Sequence, residues 1–500
     1  MFSARGVILG SLGAIGLLIA LMVWNQSSPS NTSRTTVSRP LVVFCAAGIR
    51  APVEAAAREY EREYGTPIQL QFGGSGTLLN NLRVAQRGDL FIAADSSFVD
   101  LARSNNLIDE VLPLARMTAV IGVPKGNPRQ VSGISSLLQP GVRVALPNPD
   151  ATASGSLTRS ALSQAGTWDA LSTRALVFKP TVTDVANDIK IGSVDAGILW
   201  DATVRQYPEL EAVPAAELVP HPSHVSVCVL RSCDQPTDAL RFARYLAARD
   251  RGLPHFATAG FTPVTGDVWQ PNPSVLLYSG TVNRVAIEES LREFELREGV
   301  QVTRVYNGCG ILTAQIRAGQ RPDAYFACDV SFMETVQSGF QPAVALAETD
   351  LVLLVQKGNP AKISSLADLA RPGLKVGLCH EQQSALGALT ARLLRNVGLH
   401  ESVSGNVSVQ SPTGDLLVNQ LRSGGLDVAL VYAVNASQVL DHLDVIAVSS
   451  PGAIAIQPYA VGLESDHAQL MSRLYEKLRA QASRDRFLNA GFRWKVPDAR

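Results

Sequence analysis

Charge of one sign is missing from this chain: Lys plus Arg and Asp plus Glu both number 44, and charged residues make up only 18% of the sequence. No global field therefore gathers nucleic acid or steers an anion, so any preference for a charged ligand must be local. Six cysteines, at 45, 228, 233, 309, 328 and 379, make no CxxC…CxxC spacing, and no metal site is expected from them. The histidines form neither HExxH nor HxxEH, and GxSxG does not occur. Metalloprotease and serine-hydrolase chemistry thus have no motif, and the reading is of a protein that is not an enzyme and needs no cofactor. Hydrophobic residues at 46% are ample for large cores.

What the sequence does have is a long internal repeat. Gln69–Asp95 reads as a strand, a glycine-rich turn (Gly73-Gly74-Ser75-Gly76), an amphipathic helix and a second buried strand ending in an acid. A turn of this kind running into a helix presents backbone N–H groups and the positive end of the helix dipole, a site for an anion. Val302–Asp329 repeats it, with Gly308-Cys309-Gly310 in the turn. Ser75/Cys309, Asp89/Asp323 and Asp95/Asp329 are all 234 residues apart. Lys125-Gly-Asn-Pro128 returns as Lys357-Gly-Asn-Pro360, and Trp200 as Tyr432, at 232; Gly260-Phe261 returns as Gly491-Phe492 at 231. Landmarks in one order with so small a drift predict a duplicated domain, and the period is far too long for a solenoid.

The chain opens on Gly6–Trp24, which carries no charge and at about 1.5 Å per residue nearly spans a hydrocarbon core. No small-x-small site and no lipobox cysteine follows it, so the expectation for residues 1–39 is an uncleaved signal anchor (6–24) and a Ser/Thr/Pro-rich tether; a cleaved, soluble form is the alternative. From Leu41 onward, apolar runs alternate with helical patterns: Leu41–Ala46 as strand, Pro52–Tyr64 as helix, Met117–Val123, Val142–Pro147 and Ala196–Trp200 as strands. That alternation predicts a mostly parallel α/β sheet. Domains are expected at 40–266 and 274–497, joined through Pro263–Ser274. Cys228 and Cys233 are close enough to form a small disulfide in an exported protein, or to stay reduced.

At Phe44-Cys-Ala-Ala-Gly48, Phe72-Gly-Gly-Ser-Gly-Thr-Leu78, Asp89–Asp95 and Gly197-Ile-Leu-Trp200 the first repeat resembles the periplasmic molybdate-binding proteins, solute receptors of ABC importers. The second repeat keeps the same order with weaker motifs. The resemblance implies two tandem type II periplasmic-binding-protein domains, each of two α/β lobes with a hinge and an interlobe cleft closing on a tetrahedral oxyanion. Carried over, the family's ligand positions fall on Gly48, Ser75, Ser154, Val182 with Thr183, and Trp200. In the second repeat they fall on Thr281, Cys309, Leu386 with Ser384 close by, Gly414 and Tyr432. Each set is incomplete: Gly48 and Trp200 lack the hydroxyl, and Cys309 is a weaker donor than serine.

A hydrated dianion entering a dry site must have its water hydrogen bonds replaced, which hydroxyls and helix-terminal amides accomplish without a formal counter-charge. The expected function is a membrane-tethered receptor on the periplasmic side of the inner membrane, delivering molybdate or tungstate to an ABC permease. Its partners are the oxyanion, the permease and the membrane, with no nucleic acid. The alternatives are a periplasmic anion sensor with a non-transport partner, and an enzyme on the same fold using Cys309 as nucleophile.

Overall fold

The computed structural model describes residues 39–437 and 439–496. The anchor at 6–24, its tether and the chain's last residues lie outside the described residues. Among the described residues no helix is long and apolar enough to cross a membrane.

Strand Leu41–Ala46 forms where predicted, and helix Arg50–Tyr64 follows it, ended by Gly65 in the left-handed region (φ 68°). Leu41–Ala46 pairs in parallel with Ile68–Gly73 on one side and Leu90–Ala93 on the other. Strand Ser223–Leu230 then joins Leu90–Ala93 in antiparallel sense and carries Ile108–Met117 on its far edge. These strands, with Thr262–Pro263, make the six-stranded sheet of one lobe. The other lobe is a five-stranded sheet of Val177–Lys179, Val144–Pro147, Ala196–Trp200, Ala119–Pro124 and Leu210–Val213, in that order.

The sheets are therefore mixed, not mostly parallel, and the reason is connectivity. The apolar run predicted as one strand, Met117–Val123, is broken at Thr118 where the chain passes from the first sheet to the second. Thr118 donates its N–H to Asp201 Oδ1 at 3.0 Å and accepts from the Asp201 N–H at 2.9 Å, which fixes the crossing point. The chain returns between Leu210–Val213 and Ser223–Leu230. A strand that leaves one lobe and another that comes back must run against their neighbours.

The second repeat has the same topology strand for strand. Its six-stranded lobe runs Gln301–Asn307, Ser274–Gly280, Ala324–Phe326, Ile454–Val461, the front of Val344–Gln356, and Arg493–Trp494. The rear of Val344–Gln356 enters the other lobe between Val428–Tyr432 and Leu443–Ala447. Here the crossing strand is continuous. The correspondence reaches side chains: Asn127 bridges Val131 N–H and C=O at 2.9 and 2.8 Å, and Asn359 does the same to Ile363 at the same distances. Each repeat has its own cluster of buried apolar side chains.

The two repeats are docked. Glu298, the last residue of helix Arg284–Glu298, is buried between Arg244 of the first repeat and Arg473 of the second. Arg473 Nε donates to Oε1 at 2.6 Å, and Arg244 Nη1 donates to Oε2 at 2.9 Å and to the Glu298 carbonyl at 2.5 Å. The segment between the repeats is pinned on both sides: Trp269 Nε1 donates to Tyr64 Oη at 2.8 Å, and Asp267 accepts the N–H groups of Gln469 and Leu470.

Candidate functional site

Three helices of the first repeat begin at the line where its lobes meet. Ser75–Ala85 comes from the six-stranded lobe; Ala153–Gln164 and Val182–Lys190 come from the other. Gly74 precedes the first of them, and a Cβ built there would stand 2.3 Å from Ala151 O and 2.8 Å from Pro180 O, in the loops that lead into the other two. Gly76 and Thr77 donate their N–H groups across the cleft to Ala151 O at 3.0 and 3.3 Å. The glycines predicted to free amides for a ligand thus also bring the lobes into backbone contact. Those amides are satisfied by the opposite lobe in this closed form.

Ser75 is buried, and its Oγ accepts the Ala94 N–H at 3.3 Å. Gly48, in the short turn Ala47–Ile49, lies against the opposite lobe: a Cβ there would be 3.0 Å from Val182 Cγ2, 3.2 Å from Trp200 Cδ1 and 3.7 Å from Thr203 Oγ1. The structure therefore brings Gly48, Val182 and Trp200 together. Ser154 is buried in the first turn of its helix, its Oγ 3.5 Å from Thr152 Oγ1, which caps that helix by accepting the Gly155 N–H. Thr183 Oγ1 and Thr203 Oγ1 are buried and have no hydrogen-bond partner. Thr203 was not predicted; it sits in a five-residue helix, Asp201–Arg205, and only its distance of three residues from Trp200 marks it.

The landmark acids have structural work. Asp95 caps helix Ser96–Ser104 and accepts Ser223 Oγ–H at 2.7 Å; Asp89 accepts the Val42 N–H at 2.8 Å and lies 3.1 Å from the Cys233 Sγ. Cys228 and Cys233 are free thiols, so the small disulfide is not formed.

In the second repeat the same three helix starts meet, at Cys309–Arg317, Ala385–Asn396 and Gly414–Arg422. Gly308 faces Gln383 O and Pro412 O as Gly74 faces its partners, and Gly310 N–H donates to Gln383 O at 3.0 Å. Thr281, Ser384, Gly414 and Tyr432 line a cavity of about 20 Å³, together with Cys328 and Asn435. That is room for about one water, so any larger ligand would need the lobes to part and reclose around it. Tyr432 Oη is buried without a partner, and burial raises its pKa well above the usual phenol range.

Two assignments shift. The turns Ala47–Ile49 and Thr281–Asn283 superpose in sequence at the offset of 234, so Val282 stands at the Gly48 position and Thr281 at that of Ala47. Cys309 is not among the lining residues; it lies buried behind Cys328, whose N–H donates to its Sγ at 3.1 Å. Asp415 stands where the first repeat has Thr183 and accepts from Asn435 Nδ2 at 2.6 Å, which puts a carboxylate at the mouth of this cleft. A larger open groove of about 590 Å³, lined by Arg317, Arg321, Phe340 and His467 among others, shares no residue with this cavity.

Gly74→Ala tests the close approach. Its methyl would push against two backbone carbonyls that have no side-chain freedom to yield, so the lobes should fail to close. The expected result is an open first domain by small-angle scattering and weaker ligand binding, with secondary structure unchanged by circular dichroism.

Two α/β lobes joined by crossing strands, with three helix starts converging where they meet, make the type II periplasmic-binding-protein fold. The chain belongs to the bacterial extracellular solute-binding protein family, which matches residues 41–262 and again 275–493. It is similar to a putative binding protein of Haemophilus influenzae, 22% identical over 233 residues that cover 46% of this chain and 94% of that protein. It is also similar to the molybdate-binding protein ModA of Mycobacterium tuberculosis, 26% identical over 245 residues, covering 46% and 89%. Among solved structures, the periplasmic molybdate-binding protein of Azotobacter vinelandii aligns with 45% of this chain and 100% of its own at 18% identity and a TM-score of 0.38.

Proposed function

We propose that the chain is the extracytoplasmic receptor of an ABC importer for a tetrahedral oxyanion, molybdate or tungstate, built from solute-binding units at residues 40–266 and 274–497. The observation that carries this reading is the meeting of three helix N-termini with buried, unpartnered hydroxyls at Thr183 and Thr203. Helix starts of this kind favour anions, and hydroxyls complete the donor set without a cation. The ModA relatives bind molybdate, which supports the choice of anion.

The first cleft is the principal site, with Ser75, Ser154, Thr183 and the amides of Gly48 and Val182 as donors and Trp200 as wall. Thr203 joins this set. The second cleft, with Thr281, Ser384, Gly414 and Tyr432, is the weaker one because Asp415 repels an anion at its mouth. Residues 6–24 tether the receptor to the inner membrane beside its permease. Calorimetric titration with molybdate, tungstate, sulfate and phosphate tests this: one tight site for the larger two anions is expected. Binding of none of the four would end the oxyanion reading.

A further inference from the structure

Three positions differ together between the two clefts. At the constant offset of 234, Ala46, Ser75 and Ala94 of the first repeat are replaced by Gly280, Cys309 and Cys328. The backbone contact is preserved: Ala94 N–H donates to Ser75 Oγ at 3.3 Å, and Cys328 N–H donates to Cys309 Sγ at 3.1 Å. What is new is a second sulfur beside the first. The glycine makes room for both. A Cβ on residue 280 would stand 1.9 Å from Cys328 Sγ and 3.1 Å from Cys309 Sγ, so the alanine of the first repeat would not fit. Gly280 has φ −60° and ψ 137°, a conformation open to any residue, so space is what requires glycine here. Both sulfurs crowd the same glycine, and Cys328 borders the cavity of the second cleft.

We propose that Cys309 and Cys328 are a reversible redox pair in the floor of the second cleft, closing to a disulfide when the parted lobes admit a disulfide oxidant. The Cys328 sulfur, which borders the cavity, attacks one sulfur of the oxidant and releases the other as a thiol. Cys309, behind it, then attacks the Cys328 sulfur of the mixed disulfide and releases the second oxidant thiol. One Sγ–Sγ bond forms, the oxidant's S–S bond breaks, and the two cysteine protons end on the oxidant's sulfurs. Burial opposes a thiolate at Cys309, but the hydrogen bond that its sulfur accepts from the Cys328 N–H favours one and helps to hold this thiol below its ordinary range, which suits it to attack the mixed disulfide. The consequence for ligand rests on the oxyanion reading above. In the dithiol form the floor can carry negative charge and repel a dianion; in the disulfide form it cannot.

The full chain is reduced, desalted and exposed to oxidised glutathione, and remaining thiols are blocked with N-ethylmaleimide in denaturant before peptide mass mapping. A Cys309–Cys328 linkage is expected, with the other four cysteines blocked, and none in the Cys309→Ser/Cys328→Ala double variant that restores the first repeat's pair. Blocking of both Cys309 and Cys328 after oxidation, or a linkage confined to Cys228 and Cys233, overturns the pair. Molybdate titration of the Ser75→Asp chain, which reads the second cleft, should be about tenfold tighter in the oxidised form, the effect of removing one modest charge repulsion. Equal affinity in both forms overturns the ligand consequence and leaves the linkage standing. Failure of the unmodified chain to bind any oxyanion overturns the functional reading instead, and the mapping result is independent of it.

Discussion

Ser75→Asp is expected to weaken molybdate and tungstate binding at the first cleft by about a thousandfold. Two unit charges about 4 Å apart repel by about 4 kcal/mol at an effective dielectric near 20, and every 1.4 kcal/mol is tenfold in affinity. Ser75 is buried where the lobes meet, so a carboxylate there faces the anion without intervening water. The chain should still fold, because an acid in the first turn of helix Ser75–Ala85 is favourable to the dipole and the Ala94 N–H remains as a donor to it. A thermal melt close to that of the parent checks this. Ser75→Ala removes one charge-assisted hydrogen bond, worth roughly 1.5–3 kcal/mol, or about ten- to a hundredfold. Cys309→Ala should matter less than either, since Cys309 lies behind the cavity wall. If calorimetry finds Ser75→Asp binding like the parent while Cys309→Ala does not bind, the operative site is in the second half.

The parts of this site that were legible in sequence are those where backbone geometry dictates residue type. Gly74 and Gly308 could be read because the lobes approach within a Cβ radius there, and only glycine permits it. Ser75 was readable because it stands between such glycines at a helix start. Thr203 was not, because its importance comes from facing Gly48 across the cleft, a contact between residues far apart in the chain. Thr281 lines the second cavity but stands one residue before the Gly48 position, because the turn Thr281–Asn283 itself holds no glycine to mark that position. The break at Thr118 was hidden because the residues on either side of it, Met117 and Ala119, are both apolar and buried. Glu298 looked like any acid on a charged helix, for its burial is imposed by arginines more than fifty and more than a hundred residues away.

That glutamate carries the second large effect, which is on stability. Glu298→Ala should destabilise the chain by about 3–5 kcal/mol, the usual cost of removing one partner from a buried ion pair. Arg244 and Arg473 have side chains only 7% and 9% exposed, and without the carboxylate two guanidiniums face each other across the repeat interface. Nothing else in the triad can neutralise them, so the repeats should separate before either unfolds. Urea denaturation would show an earlier first transition, and scattering an enlarged radius at intermediate urea. Replacing all three residues by apolar ones of similar size should be close to neutral, because it removes the desolvation cost with the attraction. pH gives an independent check. Burial alone would raise the Glu298 pKa, but Arg473 and Arg244 hold it below the ordinary carboxylate range. A lowered folded pKa contributes stability that is complete above the unfolded value of about 4.3 and is lost as pH falls through the folded value. The gap between parent and Glu298→Ala should therefore be widest near neutrality and shrink in acid below about pH 4. A gap that persists unchanged into acid would mean that the arginines are not what Glu298 is there to neutralise.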